Sequence, residues 1–257
     1  MIEISDTQIA AWLSSYLLPL FRIAGFFLAA PIIGSNFVPM RVRLILAVAV
    51  TLVVAPGLSS PVTFDALSLQ MVLVIVQQVL IGVMLGFFLQ MLFQVFVLLG
   101  QMIAMQMGLG FASMMDPANG VNVAILSSIY FMLATLLFIS FDGHLVMIEV
   151  LADSFVQIPV GTTPESNVYL QLISTISWVF SSALLLALPA VTALLMTNFA
   201  FGIMTRAAPQ LNIFALGFPM ALMFGLFVIW LMMGYFLDSA AGIFNEMFIG
   251  MRALFAG

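Results

Sequence analysis

Few residues in this chain have the means to do chemistry, and each can be named. The one histidine, His144, stands in Asp142-Gly143-His144, with Glu149 five residues further on. An imidazole beside two carboxylates is the beginning of a metal site. Zinc, however, draws three or four ligands at recognisable spacings, and no such set follows here. Asp142-Gly143-His144 is therefore read as a structural turn at a helix end. Arg22 lies midway along the first apolar stretch. A cation inside a bilayer costs roughly 2.5–3.5 kcal/mol on insertion scales. It serves either an ion or substrate relay, or it is an interfacial arginine paired with a carboxylate or carbonyls in an assembly. The second reading is favoured, because an ion-coupled transporter needs more buried ionisable groups than one. There is no Gly-x-Ser-x-Gly nucleophile elbow. There is no cysteine, which excludes thiol catalysis and cysteine-ligated zinc. Gly108-Leu-Gly-Phe-Ala-Ser113 lacks the third glycine and the preceding strand of a dinucleotide loop. No catalytic, metal or cofactor-binding residue is assigned, and the chain is not read as an enzyme.

Two softer patterns remain. Of the 20 methionines, Met102, Met105, Met107, Met114 and Met115 crowd around a glycine-rich stretch that also holds Asp116-Pro117. Methionine is unbranched and polarisable, so it seals around variable shapes and re-packs. A flexible apolar plug in a wide conduit has this look, and so does an ordinary helix-packing corner. The second pattern is glutamine. At 100° per residue, Gln90, Gln94 and Gln101 fall within about 40° of one another on a helix. Such a polar stripe avoids lipid and faces a neighbouring helix, another subunit or water.

The elements that must position these residues follow from composition. Hydrophobic residues make up 65% of the 257 and charged residues 6%, against about 45–50% and 25% in soluble domains. All five cations are arginines and the formal net charge is −5. That excludes a water-soluble monomer, a disordered chain and a nucleic-acid binder with a basic surface. An all-α integral membrane protein is expected, since unpaired strand edges cannot face lipid. About six hydrophobic segments are expected: 11–30, 42–55, 66–115, 123–141, 168–201 and 214–237. The third is uncharged for 50 residues, roughly 75 Å as one straight helix. It must bend, split or project beyond the bilayer, and Gly82, Gly86, Gly100, Gly108 and Gly110 are its bend or close-approach points. Pro189 is expected to kink the fifth segment. After Asp142-Gly143-His144 an amphipathic stretch runs to Ile158, and the tail from Asp238 reads as an amphipathic helix. The amino terminus carries Glu3 and Asp6 without a cation, so no cleaved signal peptide is expected. Arg41, Arg43 and Arg206 sit in the first and fifth connections, which places the amino terminus outside if there are six passes. No internal repeat is evident, which weighs against a transporter of two matching halves.

Three stretches carry a family resemblance over essentially the whole chain. They are Gly108-Leu-Gly-Phe-Ala-Ser-Met-Met-Asp-Pro117, then Asp142-Gly-His144, then Arg206-Ala-Ala-Pro-Gln-Leu-Asn-Ile-Phe214 with Gly217-Phe-Pro219. Together they resemble the FliR/SpaR family of type III secretion export-apparatus proteins. The resemblance implies long, kinked helical hairpins packed in a hetero-oligomeric export gate in the bacterial inner membrane, at the flagellar basal body. It implies one export-gate domain over 1–257. About 1–160 would be FliP-like, and about 161–257 a FliQ-like helical hairpin with an amphipathic tail. FliP and FliQ would be the core partners, FlhB and FlhA would work beside them, and unfolded protein substrates would pass through. The assembled gate would protrude toward the periplasm, with no cofactor and no nucleic acid. Residues 108–122 would form the plug, through Gly108, Gly110, Phe111, Met114, Met115, Asp116, Pro117, Asn119 and Gly120. Polar contacts between helices or subunits would fall to Arg22, Gln90, Gln94, Gln101, Asp142, His144, Arg206, Pro209, Gln210 and Asn212. The loop looks more like the flagellar branch than the virulence-secretion one. The competing class is an ion-coupled small-molecule transporter dependent on Arg22 or His144.

Overall fold

Inside a bilayer the backbone finds no water to bond, so a chain this apolar must satisfy its N–H and C=O groups within its own helices. The computed structural model describes residues 6–35, 37–58, 69–109, 125–164, 166–207 and 217–253. Among them are eight α-helices and no strand: α1 Asp6–Ala29, α2 Met40–Val54, α3 Leu69–Gln106, α4 Ile125–Ser140, α5 Gly143–Gln157, α6 Ser166–Ala207, α7 Phe218–Leu231 and α8 Met233–Ala253. A short 3-10 turn, Ala55–Gly57, follows α2. The protein is thus an all-α membrane protein. Among the described residues, three helical stretches are each long and apolar enough to cross a bilayer: Met40–Gly57, Leu69–Gln106 and Asn167–Ala207. Counting the bent pairs α4–α5 and α7–α8 as one span each makes five.

Among the described residues the third segment forms one helix, α3. With 38 residues, α3 is about 57 Å long, nearly twice a bilayer core. It is apolar on every side, so the sequence does not declare its inner face; the buried positions do. They step by three and four: Met71, Val74, Gln78, Ile81, Leu85 and Phe88, then Leu92, Val95 and Leu99. That is the spacing of a coiled-coil seam. The helix ends in a Schellman motif. Leu109 N–H donates to Ala104 O at 3.0 Å and Gly108 N–H to Met105 O at 3.1 Å. Gly108 takes the left-handed conformation, φ 83°, that the motif needs.

Two further boundaries differ from expectation. The fifth segment was expected over 168–201, and α6 runs for 42 residues, Ser166–Ala207, with Pro189 inside it; the Thr192 hydroxyl donates to Leu188 O and Pro189 O. The sixth segment was expected to run to 237, with the amphipathic tail from Asp238. The chain instead turns by 59° between α7 and α8, at Met232. No proline or charge marks that position, so apolar periodicity passes straight over it.

The chain folds as two compact units built from interleaved stretches. The first comprises Met1–Met91, Asp142–Thr175 and Phe248–Gly257. Its core joins α1 to α3 and α5 through Leu18, Phe26, Phe27, Ile81, Leu85, Val150 and Leu151. The second comprises Leu92–Phe141 and Ile176–Met247. An aromatic cluster holds it: Phe93 lies 5.4 Å from Phe138, Phe96 lies 5.5 Å from Phe244, and Tyr130 lies 5.1 Å from Phe236. Each such pair adds about 0.5–1.5 kcal/mol beyond its buried area. In the same unit α3 and α4 approach backbone to backbone at Gly100, where a Cβ would stand 2.5 Å from Ser127 Cα.

Candidate functional site

The helix α1 carries Arg22 on the same face as Leu18 and Phe26, so the guanidinium enters the core of the first unit. It is wholly buried. Its Nε donates to Gln78 Oε1 of α3 at 2.8 Å. One Nη donates to Ser154 O at 2.8 Å and to Ser154 Oγ at 3.3 Å, and the other to Ile158 O at 2.8 Å. The Phe155 ring lies under it, its centroid 4.2 Å from Cζ. No carboxylate takes part. The compensating charge is the carbonyl end of α5, since Ser154 and Ile158 offer carbonyls one turn apart where that helix stops. A helix C-terminus carries about half a negative charge, and the aromatic face adds to it. The planar fork of arginine suits two carbonyls and an amide at once.

One group in this cluster is left over. Gln78 is fully buried, and its Nε2 has no hydrogen-bond partner among the described residues. An orphaned amide costs about 1–3 kcal/mol. With Oε1 already accepting from Arg22, the amide cannot flip without losing that bond. The arrangement holds α1, α3 and α5 together through neutral acceptors and contains no second ionisable group to pass a proton on.

The other residues singled out by sequence are placed as follows. Gln90 and Gln101 are half-buried and Gln94 is exposed. Gln101 Oε1 accepts from Ser127 Oγ of α4 at 3.4 Å. The stripe shares its side of α3 with exposed Val72, Val76, Leu80, Phe87 and Met105, and at Gln101 that side meets α4. Gln78 lies about 120° or more away from it. Asp142 and His144 are exposed. Asp142 is left-handed, φ 55°, and its carbonyl accepts the Leu145 and Val146 N–H groups at the start of α5. Arg206 is exposed in the last turn of α6, where a cation complements the helix dipole. Gly108 closes α3. Gly110, Phe111, Met114, Met115, Asp116, Pro117, Asn119 and Gly120, and likewise Pro209, Gln210 and Asn212, lie outside the described residues. No group of three or more histidines and carboxylates able to hold a metal occurs among the described residues.

Sequence reasoning missed Ser154, Phe155 and Ile158 as partners of Arg22. Two of the three accept through main-chain carbonyls, which every residue type possesses. Gln78, in the same uncharged segment as the stripe, was not singled out.

Comparison with known proteins supplies what the geometry leaves open. The profile of the family described as "Bacterial export proteins, family 1" matches residues 13–247. A flagellar biosynthetic protein FliR from Escherichia coli (strain K12) is 41% identical over 253 residues, covering 96% of this chain and 95% of its own length. A protein of the same name from Pectobacterium carotovorum is 38% identical, with 96% and 95% covered. The surface presentation of antigens protein SpaR of Salmonella typhimurium is 32% identical over 196 residues, with 76% and 73% covered.

Proposed function

The chain belongs to the bacterial export proteins of family 1, and from that premise we propose that it is a structural channel subunit of the flagellar type III protein export gate. The observation that carries the flagellar reading is the near full-length likeness to proteins named for flagellar biosynthesis, 41% identical over 96% of the chain. The likeness to SpaR is lower and spans 76%; it supports a gate of the virulence-secretion type as the second reading. None of these relatives is named as an enzyme. In the proposed role the chain closes the gate core with FliP and FliQ in the inner membrane, beside FlhB and FlhA, and unfolded flagellar subunits pass through. About 1–160 would supply the FliP-like part and about 161–257 the FliQ-like hairpin, with the assembly protruding toward the periplasm.

Two features support an assembly part over a free-standing transporter. Helices α6 and α7 leave most of their apolar side chains exposed. Gln94 is exposed on the stripe side of α3, where a polar side chain within a membrane assembly calls for a polar neighbour. Affinity purification of the tagged chain from its host membrane, read by mass spectrometry, is expected to recover FliP and FliQ in fixed proportion. Recovery of a lone chain that moves small solutes in liposomes overturns the assignment.

The plug is proposed at 108–122, with Met114 and Met115 as its yielding apolar part. Removal of residues 113–120 from the assembled complex is expected to raise ion conductance across a planar bilayer well above that of the intact complex. A deletion complex that assembles and stays ion-tight shows that the seal lies elsewhere.

A further inference from the structure

The connection from α1 to α2 is built more firmly than a link needs to be. Ile33 N–H donates to Pro31 O at 2.8 Å, Gly34 N–H to Ala30 O at 2.8 Å and Val38 N–H to Ser35 O at 3.1 Å. The Ser35 hydroxyl donates to Ile32 O at 2.6 Å, and an Nη of Arg43 donates to Ser35 O. Ile32 sits at φ 69°, a left-handed conformation that a β-branched residue resists. At Gly34 a Cβ would stand 2.5 Å from Ala30 O and 2.6 Å from Leu28 O. Strain of this kind persists where the surroundings enforce it, and it clusters at functional sites.

The wiring presents two apolar side chains and a cation. Phe37 is 95% exposed and Met40 68%. Arg41, next in sequence, is exposed and makes no ion pair or hydrogen bond among the described residues, whereas Arg43 is tied to Ser35. From residue 7 to residue 64 the sequence has Arg22, Arg41 and Arg43 and no carboxylate, and Arg22 is spent inside the core. The helix that follows buries only Ala47 and Thr51. Met40–Gly57 spans 18 residues, about 27 Å, slightly less than a hydrocarbon core. Its first turn therefore comes at headgroup level when its apolar length is in the bilayer.

We propose that this connection is a binding site for an anionic phospholipid, separate from the subunit contacts of the gate. Phe37 and Met40 enter the boundary between headgroups and acyl chains, and the Arg41 guanidinium donates to the lipid phosphate. An aromatic and a thioether give depth without a fixed shape, and arginine binds phosphate oxygens through paired N–H groups. The unbalanced positive charge selects anionic over zwitterionic lipid, by about fivefold for one cation near the surface. A neighbouring protein surface is the alternative occupant, and it is separated by the test.

The test uses the complex purified with its partners, carrying Phe37→Trp, in nanodiscs whose lipids are brominated on the acyl chain. Quenching is taken as the difference from the unsubstituted complex, which cancels the native tryptophans. Brominated phosphatidylglycerol is expected to quench Trp at 37 several-fold more than brominated phosphatidylcholine at equal content, and Arg41→Gln is expected to remove the difference. Absence of quenching by either lipid means that protein or water covers position 37 and overturns the site. Equal quenching by both, or a preference that survives Arg41→Gln, overturns the recognition of phosphate by Arg41.

Discussion

Replacing Arg22 with alanine is expected to destabilise the first unit by about 3–5 kcal/mol, from the buried neutral acceptors it leaves unsatisfied, about 1–3 kcal/mol each at most, and from the cavity it opens. The guanidinium is wholly buried and makes four hydrogen bonds, to Gln78, Ser154 and Ile158. Its removal strands Gln78 Oε1 beside an Nε2 that already lacks a partner. It also strands Ile158 O and opens a cavity against Phe155. Ser154 O loses less, because it still accepts the Ile158 N–H at 3.0 Å. Arg22→Lys keeps the charge but offers one ammonium where a planar fork spans four acceptor atoms on three residues, so it should recover only part of the loss. The informative variant is Arg22→Met with Gln78→Leu. Exchanging a whole buried polar group for apolar side chains of similar volume is often close to neutral. The double variant should therefore be more stable than Arg22→Met alone. Thermal unfolding of the purified complex in detergent, with motility as a second readout, decides it. An Arg22→Ala complex as stable as the unsubstituted one would show that the four bonds contribute nothing net.

Much of the architecture was legible because composition leaves a membrane chain few choices. The apolar windows found α1, α2, α3, α4, α6 and α7 and amphipathic spacing found α5 and α8, because only helices satisfy the backbone there. The misplacements have physical causes. Nothing in side-chain chemistry marks the turn at Met232, which lies between apolar residues, so the expected boundary fell on the first charge, Asp238. The uncharged window 66–115 overran the end of α3 because hydropathy does not register a Schellman stop. The glycine that makes the stop, Gly108, was read as a bend or close-approach point and as the start of the plug, not as a helix stop. The inner face of α3 was hidden for a different reason. A helix apolar all round carries no moment, and only packing distinguishes Ile81 and Leu85 from exposed Leu80 and Phe87. Arg22 stood out because a cation in an apolar run is costly. Its partners stayed unseen because main-chain carbonyls have no letter in the sequence.

The approach of α1 to α3 explains why small residues sit at 25, 82 and 86, and it yields the second large effect. Gly82 and Gly86 are four apart on one face of α3, the small-xxx-small spacing that lets helix backbones touch in a membrane. A Cβ on Gly82 would lie 2.0 Å from Arg22 O and 2.8 Å from Phe26 N; on Gly86 it would lie 2.6 Å from Phe26 O. Gly25 faces the Val79 carbonyl from the other side at 2.7 Å. Backbone cannot swing aside as a side-chain tip can, so Gly82→Ala must push α1 from α3 by roughly 1 Å to restore ordinary contact. The displaced group is the carbonyl of Arg22 itself, so the same shift stretches the bond from Arg22 Nε to Gln78. Overpacking of this kind costs about 1–3 kcal/mol, and Gly82→Val should exceed that range. The helix also provides the control, since Gly242 of α8 has no atom within 4 Å of a built Cβ. There alanine only gains helix propensity, and Gly242→Ala should stabilise by about 0.5–1 kcal/mol. One substitution type thus has opposite signs at two helical glycines, and melting temperatures of the two complexes measure both. Shifts of the same sign and size would mean that α1 and α3 do not meet at Gly82, and the clamp geometry of Arg22 would lose its frame with them.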